Sequence, residues 1–387
     1  MSQIRRIGAA LGLALASVPC AGAQATTATL VAPVAPVAPV APVAPMPRPD
    51  VVRGLYVNRW AVLDPRIWSL IEVARTTEVN ALVIDVKDDR GYVLYRSAVP
   101  LAHAIGADTI NPVNADRIRA VLDTMRANGI YPIARIVVAK DPLLADAKRE
   151  WAVRRQSDGA PWLDANGKPW LDAHQRGIWT YAADLAAEAV RLGFSEVQFD
   201  YVRFPDDPRI ASEARFPLAN GRKPAQVIHE QLGYLKTRMA ALKVPMAIDV
   251  FGLTTTDPGD MGIGQQWEQF APQADVVLPM TYPSHYSTGL YGLENPNARP
   301  YDVIDHAMRD AKARNATVRR APKIVPWYQD FSQGDPPYGA AEVRAQIQAG
   351  YDNDIRSWIL WNPGSAYTID ALRPAILSPA EEKTRKP

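Results

Sequence analysis

From residue 53 onward the chain repeats one pattern. A short run rich in β-branched and aromatic residues is followed by an amphipathic or alanine-rich stretch, then by another run. Eight runs can be counted: RGLYVN (53–58), ALVIDVKD (81–88), YPIARIVV (131–138), EVQFDYVRF (196–204), PMAIDVFG (245–252), VVLPMTYP (276–283), KIVPWYQDF (323–331) and SWILWNP (357–363). Helix signals lie between them. NADRIRAVLDTMRANG (114–129) opens on Asn114 as an N-cap and stops at Gly129, with Ile118, Val121, Leu122 and Met125 on one face. The stretch 175–193 ends at Gly193 in the same way, and 229–243, 301–315 and 340–351 read as further helices. Alternation of this kind implies parallel strands joined by right-handed crossovers. Eight such units in about 320 residues is the size of a (β/α)8 barrel. A doubly wound open sheet would want a glycine-rich first strand–helix turn, and YVNRWAVLDP has none. The expected fold class is α/β, a single (β/α)8 TIM barrel.

The residues before the barrel read as addressing and spacing. MSQIRRIGAALGLALASVPCAGAQA has a basic start, a short apolar run and a small-x-small site at Ala21-Gly22-Ala23, the pattern of a secretory signal peptide over 1–23. The run is too short for a span, which needs about 20 apolar residues. Cys20 raises lipoprotein anchoring, but Pro19 fits a lipobox badly. It is also the chain's single cysteine, so a mature form cut after Ala23 has no disulfide, thiolate metal site or cysteine nucleophile. Next comes a strict Ala-Pro-Val repeat, which blocks helix and sheet and favours an extended polyproline rod. The expected organisation is a Pro-rich linker over 24–50, the barrel over 51–375 and a tail over 376–387, in an exported protein, periplasmic or extracellular. A formal net charge of +2 gives no case for nucleic acid or an anionic membrane as partner.

A (β/α)8 barrel works at the C-terminal ends of its strands. The second run ends on Asp85 and Lys87, with Asp88 and Asp89 behind them, and the third carries Arg135. The fourth ends on Asp200 and Arg203, the fifth on Asp249 and the sixth on Tyr282. The seventh supplies Trp327 and Gln329, the eighth Trp361 and Asn362. Carboxylates, guanidinium groups and polar aromatics thus gather at one rim, the composition of a carbohydrate site. Trp68, Trp151 and Trp267 are expected in the core, and Trp162 and Trp170, in a long loop with a doubled PWLDA, as sugar platforms.

Glycoside hydrolysis needs two carboxyl groups flanking one bond. Asp200 and Asp249 close adjacent strands and point inward, and neighbouring strands lie about 4.8 Å apart, close to the spacing of about 5–5.5 Å in retaining enzymes. Asp200 is the expected nucleophile, kept ionised by Arg203, and Asp249 the acid/base. The fourth run carries a polar ladder, Glu196, Gln198 and Asp200, on one face, and its last rung is the catalytic one in this reading.

The stretches RGLYVNRWAV, VIDVKDDRGYVLYRS, ARIVVAKDPLLA, VQFDYVRFPDD, DVFGLTT, LPMTYPSHY and WILWNPGSAY together resemble a glycosyl hydrolase domain family of bacterial secreted and envelope proteins. The resemblance covers nearly everything after the linker. It implies a (β/α)8 barrel and a carbohydrate substrate, and does not itself assign the catalytic roles. A more distant likeness to family-eighteen chitinases lies in the fourth strand and in Met280-Thr281-Tyr282. Those enzymes end the fourth strand on a glutamate, which this chain lacks, and that argues against their substrate-assisted mechanism.

The five histidines have no metal-ligand spacing, and neither metal nor cofactor is expected. The expectation is an exported glycoside hydrolase, retaining, acting on an envelope or extracellular polysaccharide or oligosaccharide. The alternative is a non-catalytic glycan-binding or wall-associated barrel.

Overall fold

The structure, a computed structural model, describes residues 43–374. The expected signal peptide with Cys20, most of the Ala-Pro-Val spacer and the C-terminal tail lie outside the described residues.

Eight parallel strands close on themselves: β1 Arg53–Val57, β2 Ala81–Lys87, β3 Tyr131–Val137, β4 Glu196–Asp200, β5 Met246–Phe251, β6 Val276–Met280, β7 in two pieces, Lys323–Ile324 and Trp327–Gln329, and β8 Trp358–Trp361. Neighbours in sequence are neighbours in space, and β8 closes on β1 through Arg53 opposite Trp358. The break in β7 falls at Pro326, which has no N–H for the ladder. The crossovers run through α1 Arg66–Thr76, α2 Ala115–Ala127, α3 Arg176–Leu192, α4 Pro224–Ala240, the single turn α5 Trp267–Phe270, α6 Pro300–Asn315 and α7 Ala340–Asp352. Asn114 caps α2 by accepting from the Asp116 N–H, and Gly129 and Gly193 follow α2 and α3 at positive φ, as read from the sequence. One core lies between sheet and helices. A second fills the barrel, built on Tyr56, Val83, Ile133, Leu278, Trp327 and Ile359.

Three tryptophan assignments change. Trp267 is fully buried as expected, but Trp68 on α1 is 38% exposed and Trp151 is half-buried. Trp162 and Trp170 are not sugar platforms. They form the core of the β3–α3 excursion with Ala139 and Val153, and their indole N–H groups donate to Glu213 and Asp164. The excursion is pinned by an antiparallel pair, Arg154–Arg155 against Ala214–Arg215. Large rings in a long loop bury themselves when the loop can fold its own small core.

The end of the proline-rich segment is part of the barrel. Met46 donates its N–H to Ser195 Oγ and packs on the inner core, and Arg48 Nε pairs with Glu196 Oε2 at 2.8 Å. Glu196 is the lowest rung of the β4 ladder and is buried. Removing one partner of a buried pair leaves a charge without compensation, at about 3 kcal/mol or more. Arg48→Ala is therefore expected to lower the thermal midpoint by several degrees, and Arg48→Ala with Glu196→Gln to recover most of the loss. Thermal melts of the two variants check this.

Candidate functional site

At the C-terminal ends of the strands lies a cavity of about 590 Å³ whose wall includes Arg135, Asp200, Tyr282, Trp327 and Trp361. The β4 ladder leads to it. Above Glu196, Gln198 donates from Nε2 to Asp249 Oδ1 at 2.6 Å, and Asp200 reaches the wall.

Arg135 is the hub. The β2–β3 pairing sets it opposite Asp85, and its Nη1 donates to Asp85 Oδ1 at 2.5 Å. Its Nε donates to Asp200 Oδ2 at 3.1 Å, joined there by Nη2, and the same Nε lies 3.7 Å from Asp249 Oδ2. The Asp200 and Asp249 oxygens are therefore no more than about 7 Å apart, which includes the spacing of retaining glycosidases. Tyr56 donates to the other oxygen of Asp85 at 2.5 Å.

One guanidinium thus faces three carboxyl groups, and its single charge does not balance three negatives. Burial pushes Asp85 up to about 6. Burial, then the charge of Asp200, holds Asp249 well above the usual carboxylate range against the pull of Arg135. Asp249 Oδ1 accepts from Gln198 and from the Trp327 indole at 2.7 Å, while its buried Oδ2 has no hydrogen-bond partner among the described residues. That is a place for a carboxylic acid proton. Asp249 is 1% exposed and is not on the cavity wall: Trp327 and Gln198 cover it. Asp200 and Asp249 are side by side, one facing the cavity and one sealed beside it.

Stability should follow these acids. Asp85 keeps its proton to about pH 6 in the folded chain against an ordinary 3.8, so the folded state binds more protons in that window. Asp249, also raised, acts in the same sense. Stability then falls as pH rises through the folded values. Below the window, groups held low, such as Glu78 and Glu268, work in the opposite sense. Melts across pH are expected to show a higher midpoint near pH 5 than near pH 7.5, with a flatter profile in Asp249→Asn.

The remaining expected site residues divide. Tyr282 and Trp361 stack at 5.2 Å with an interplanar angle of 21° and form an aromatic wall with Trp327 and Phe331. Lys87 does not reach the site. A register shift between Asp85 and Lys87 puts Lys87 opposite Ile136, facing the helices, where it pairs with buried Asp141 at 2.8 Å near Tyr181. Gln329 is sealed and takes the Ser284 N–H at 3.1 Å, holding a loop. Asn362 accepts from the Gly364 N–H in its own turn and donates from Nδ2 to the Asp330 carbonyl at 2.5 Å, tying that turn to the end of β7. Arg203 does not hold Asp200. β4 ends at Asp200, and Tyr201, at φ +52°, turns the chain out of the strand. Arg203 Nη1 bonds instead to Asp206 Oδ1 at 3.0 Å and to the Phe204 carbonyl at 3.1 Å.

Other wall residues were not named as candidates in the sequence: Tyr201, Asp206, Phe251 and Tyr286, while Met280, noted only for the chitinase likeness, also lines the cavity. Gly252 gives one signal. A Cβ there would lie 2.5 Å from the Met280 carbonyl oxygen and 2.6 Å from the Tyr286 hydroxyl, so only glycine fits where two wall segments meet. Among the described residues no group of three or more His, Cys, Asp or Glu is placed to hold a metal ion, and no helix is long and apolar enough to cross a membrane.

A family model described as "Putative glycosyl hydrolase domain" matches residues 54–367. No curated protein sequence matches the chain. Among solved structures, a hypothetical protein from Ruminiclostridium thermocellum ATCC 27405 is 36% identical, the match covering 51% of this chain and 97% of that one with a TM-score of 0.45. The PgaB (BpsB) glycoside hydrolase domain from Bordetella bronchiseptica is 14% identical, covering 81% of this chain and 95% of that one, with a TM-score of 0.57. The endo-1,4-beta-D-mannanase from Thermotoga petrophila RKU-1 is 13% identical, covering 80% and 88%, with a TM-score of 0.52. At such identities the last two speak for the fold.

Proposed function

The chain belongs to the glycosyl hydrolase domain family whose model spans residues 54–367, and from that premise we propose that it is a retaining glycosidase working through Asp200 and Asp249. Family membership supports a glycosidase-type function and a carbohydrate substrate. The observation that carries the assignment of roles is the pair of unlike carboxyl groups on one guanidinium: Asp200 on the cavity wall against Arg135, and Asp249 beside it, disposed to keep its proton. Environments that push two neighbouring acids apart mark out an acid and a base or nucleophile.

In this mechanism the sugar rests on the Trp361–Tyr282 wall and Asp200 attacks the anomeric carbon. Asp249 gives its proton to the leaving oxygen, then takes one back from the water that releases the sugar. In the free protein Asp249 is covered, so substrate must draw its carboxyl away from Trp327 and Gln198. Catalytic hydrogen bonds commonly tighten only in the complex. The signal-peptide pattern and the Ala-Pro-Val spacer support an exported protein acting on an envelope or extracellular polysaccharide.

The covering of Asp249 also favours a second reading, a barrel that binds glycans without cleaving them. Purified chain on a polysaccharide panel separates the two. New reducing ends, absent with Asp200→Asn, support the glycosidase. Glycan binding weakened by Trp361→Ala, with no product from any substrate, supports the binder.

A further inference from the structure

We propose that Arg203 receives a carboxylate carried by the substrate sugar, which makes glycans containing uronic acid the preferred ligands of the cavity. This rests on the glycosidase reading of the same cavity. Arg203 lines the cavity yet is only 5% exposed. Its guanidinium is held among three rings, 4.4 Å from the centroid of Phe251, 4.8 Å from Tyr201 and 5.0 Å from Trp170. The rings fix its plane and strip most of its water. Both of its hydrogen bonds use Nη1. Nε and Nη2 have no partner among the described residues, and neither is sealed from solvent. Two parallel N–H donors of a residue on the cavity wall are therefore left unpaired, the shape that takes both oxygens of a carboxylate.

The surroundings leave this role open to Arg203 alone on the wall. The other guanidinium, Arg135, is taken up by Asp85, Asp200 and Asp249. His285 is pushed toward its neutral form by burial. The one carboxylate on Arg203 is Asp206, whose side chain is 48% exposed. A pair so open to water is weak and leaves the ring-bound cation short of compensation. A guanidinium edge only donates, whereas a sugar hydroxyl offers both a donor and an acceptor. An anionic substituent suits it better than a hydroxyl.

The test uses the Asp200→Asn chain, so that binding is read without turnover. Oligomers of galacturonate, glucuronate and alginate are titrated by calorimetry beside the same oligomers after chemical reduction of their carboxyl groups. At least one uronate series is expected to bind about tenfold or more tighter than its reduced counterpart, as loss of a charged hydrogen-bonded pair implies. Adding Arg203→Gln should erase that difference. Because Arg203 is buried, a second variant is needed that does not threaten the fold. Asp206→Asn removes a negative charge beside the bound carboxylate and is expected to tighten uronate binding severalfold. Reduced oligomers binding as well as uronates, no uronate binding at all, or Asp206→Asn weakening uronate binding each overturn the inference. Cleavage of neutral glycans without uronate preference overturns it while leaving the glycosidase reading intact. Uronate binding that depends on Arg203, with no product from wild-type chain, has the reverse meaning.

Discussion

Asp200→Asn is expected to lower turnover on every cleaved substrate by about 1,000-fold or more, the scale set by loss of a positioned catalytic group. The substitution keeps the side-chain shape and leaves Arg135 paired with Asp85, so folding should survive. Circular dichroism and a thermal melt establish that first, and initial rates on the best substrate of the panel then give the loss. The sharper reading comes from a small external nucleophile. Asp200→Ala with azide should recover activity and yield a glycosyl azide of inverted configuration, because azide takes the place of the missing carboxylate. Retention of more than about a tenth of wild-type turnover by Asp200→Asn would remove Asp200 from the chemistry.

Asp249→Ala should fail differently. On glycans with a sugar leaving group the loss is expected to be about 100- to 10,000-fold, the usual worth of a general acid. On dinitrophenyl glycosides, whose leaving group needs little proton donation, the first step should run near the wild-type rate and the glycosyl-enzyme should accumulate. Azide should now give a product of retained configuration. The alkaline limb of the pH profile, which reports deprotonation of an acid held above the usual carboxylate range by burial and by Asp200, should vanish. If leaving-group rescue appears in the Asp200 variant instead, the two roles are exchanged. If neither variant is rescued although the wild-type chain turns over, a glycosyl-enzyme formed on Asp200 with Asp249 as the acid is ruled out.

Much of this was written in the sequence. The eight runs and most of the outer helices were legible because strand runs and helix caps are local signals: Asn114, Gly129 and Gly193 mark ends without reference to the rest of the molecule. Helix α1 was not, since its N-cap position is Pro65, which offers no side-chain acceptor. The side-by-side placement of Asp200 and Asp249 followed from period-two alternation on adjacent strands. Where alternation broke, so did the reading. The register shift after Asp85 turned Lys87 to the outer face, and the left-handed turn at Tyr201 carried Arg203 off the strand. Neither residue type announces a bulge or a positive φ. Arg135 was visible as the cation of an otherwise nearly apolar run, but its three partners come from three other strands, and pairing at that range is a property of the closed barrel.

The seat of Met46 and Arg48 under the barrel gives the molecule a direction. The chain enters at the end where the strands begin, while the cavity opens at the end where they finish. The whole length of the barrel therefore lies between the point where the described chain enters and the opening of the cavity. A pull along the chain would meet first the contacts of Ala44 with Arg126 and of Met46 with Ser195, and then the Arg48–Glu196 pair, which lies on the strand that ends at Asp200. The base of β4 is thus tied to the entering chain while its top carries Asp200 to the cavity, so one short strand joins the two ends of the molecule.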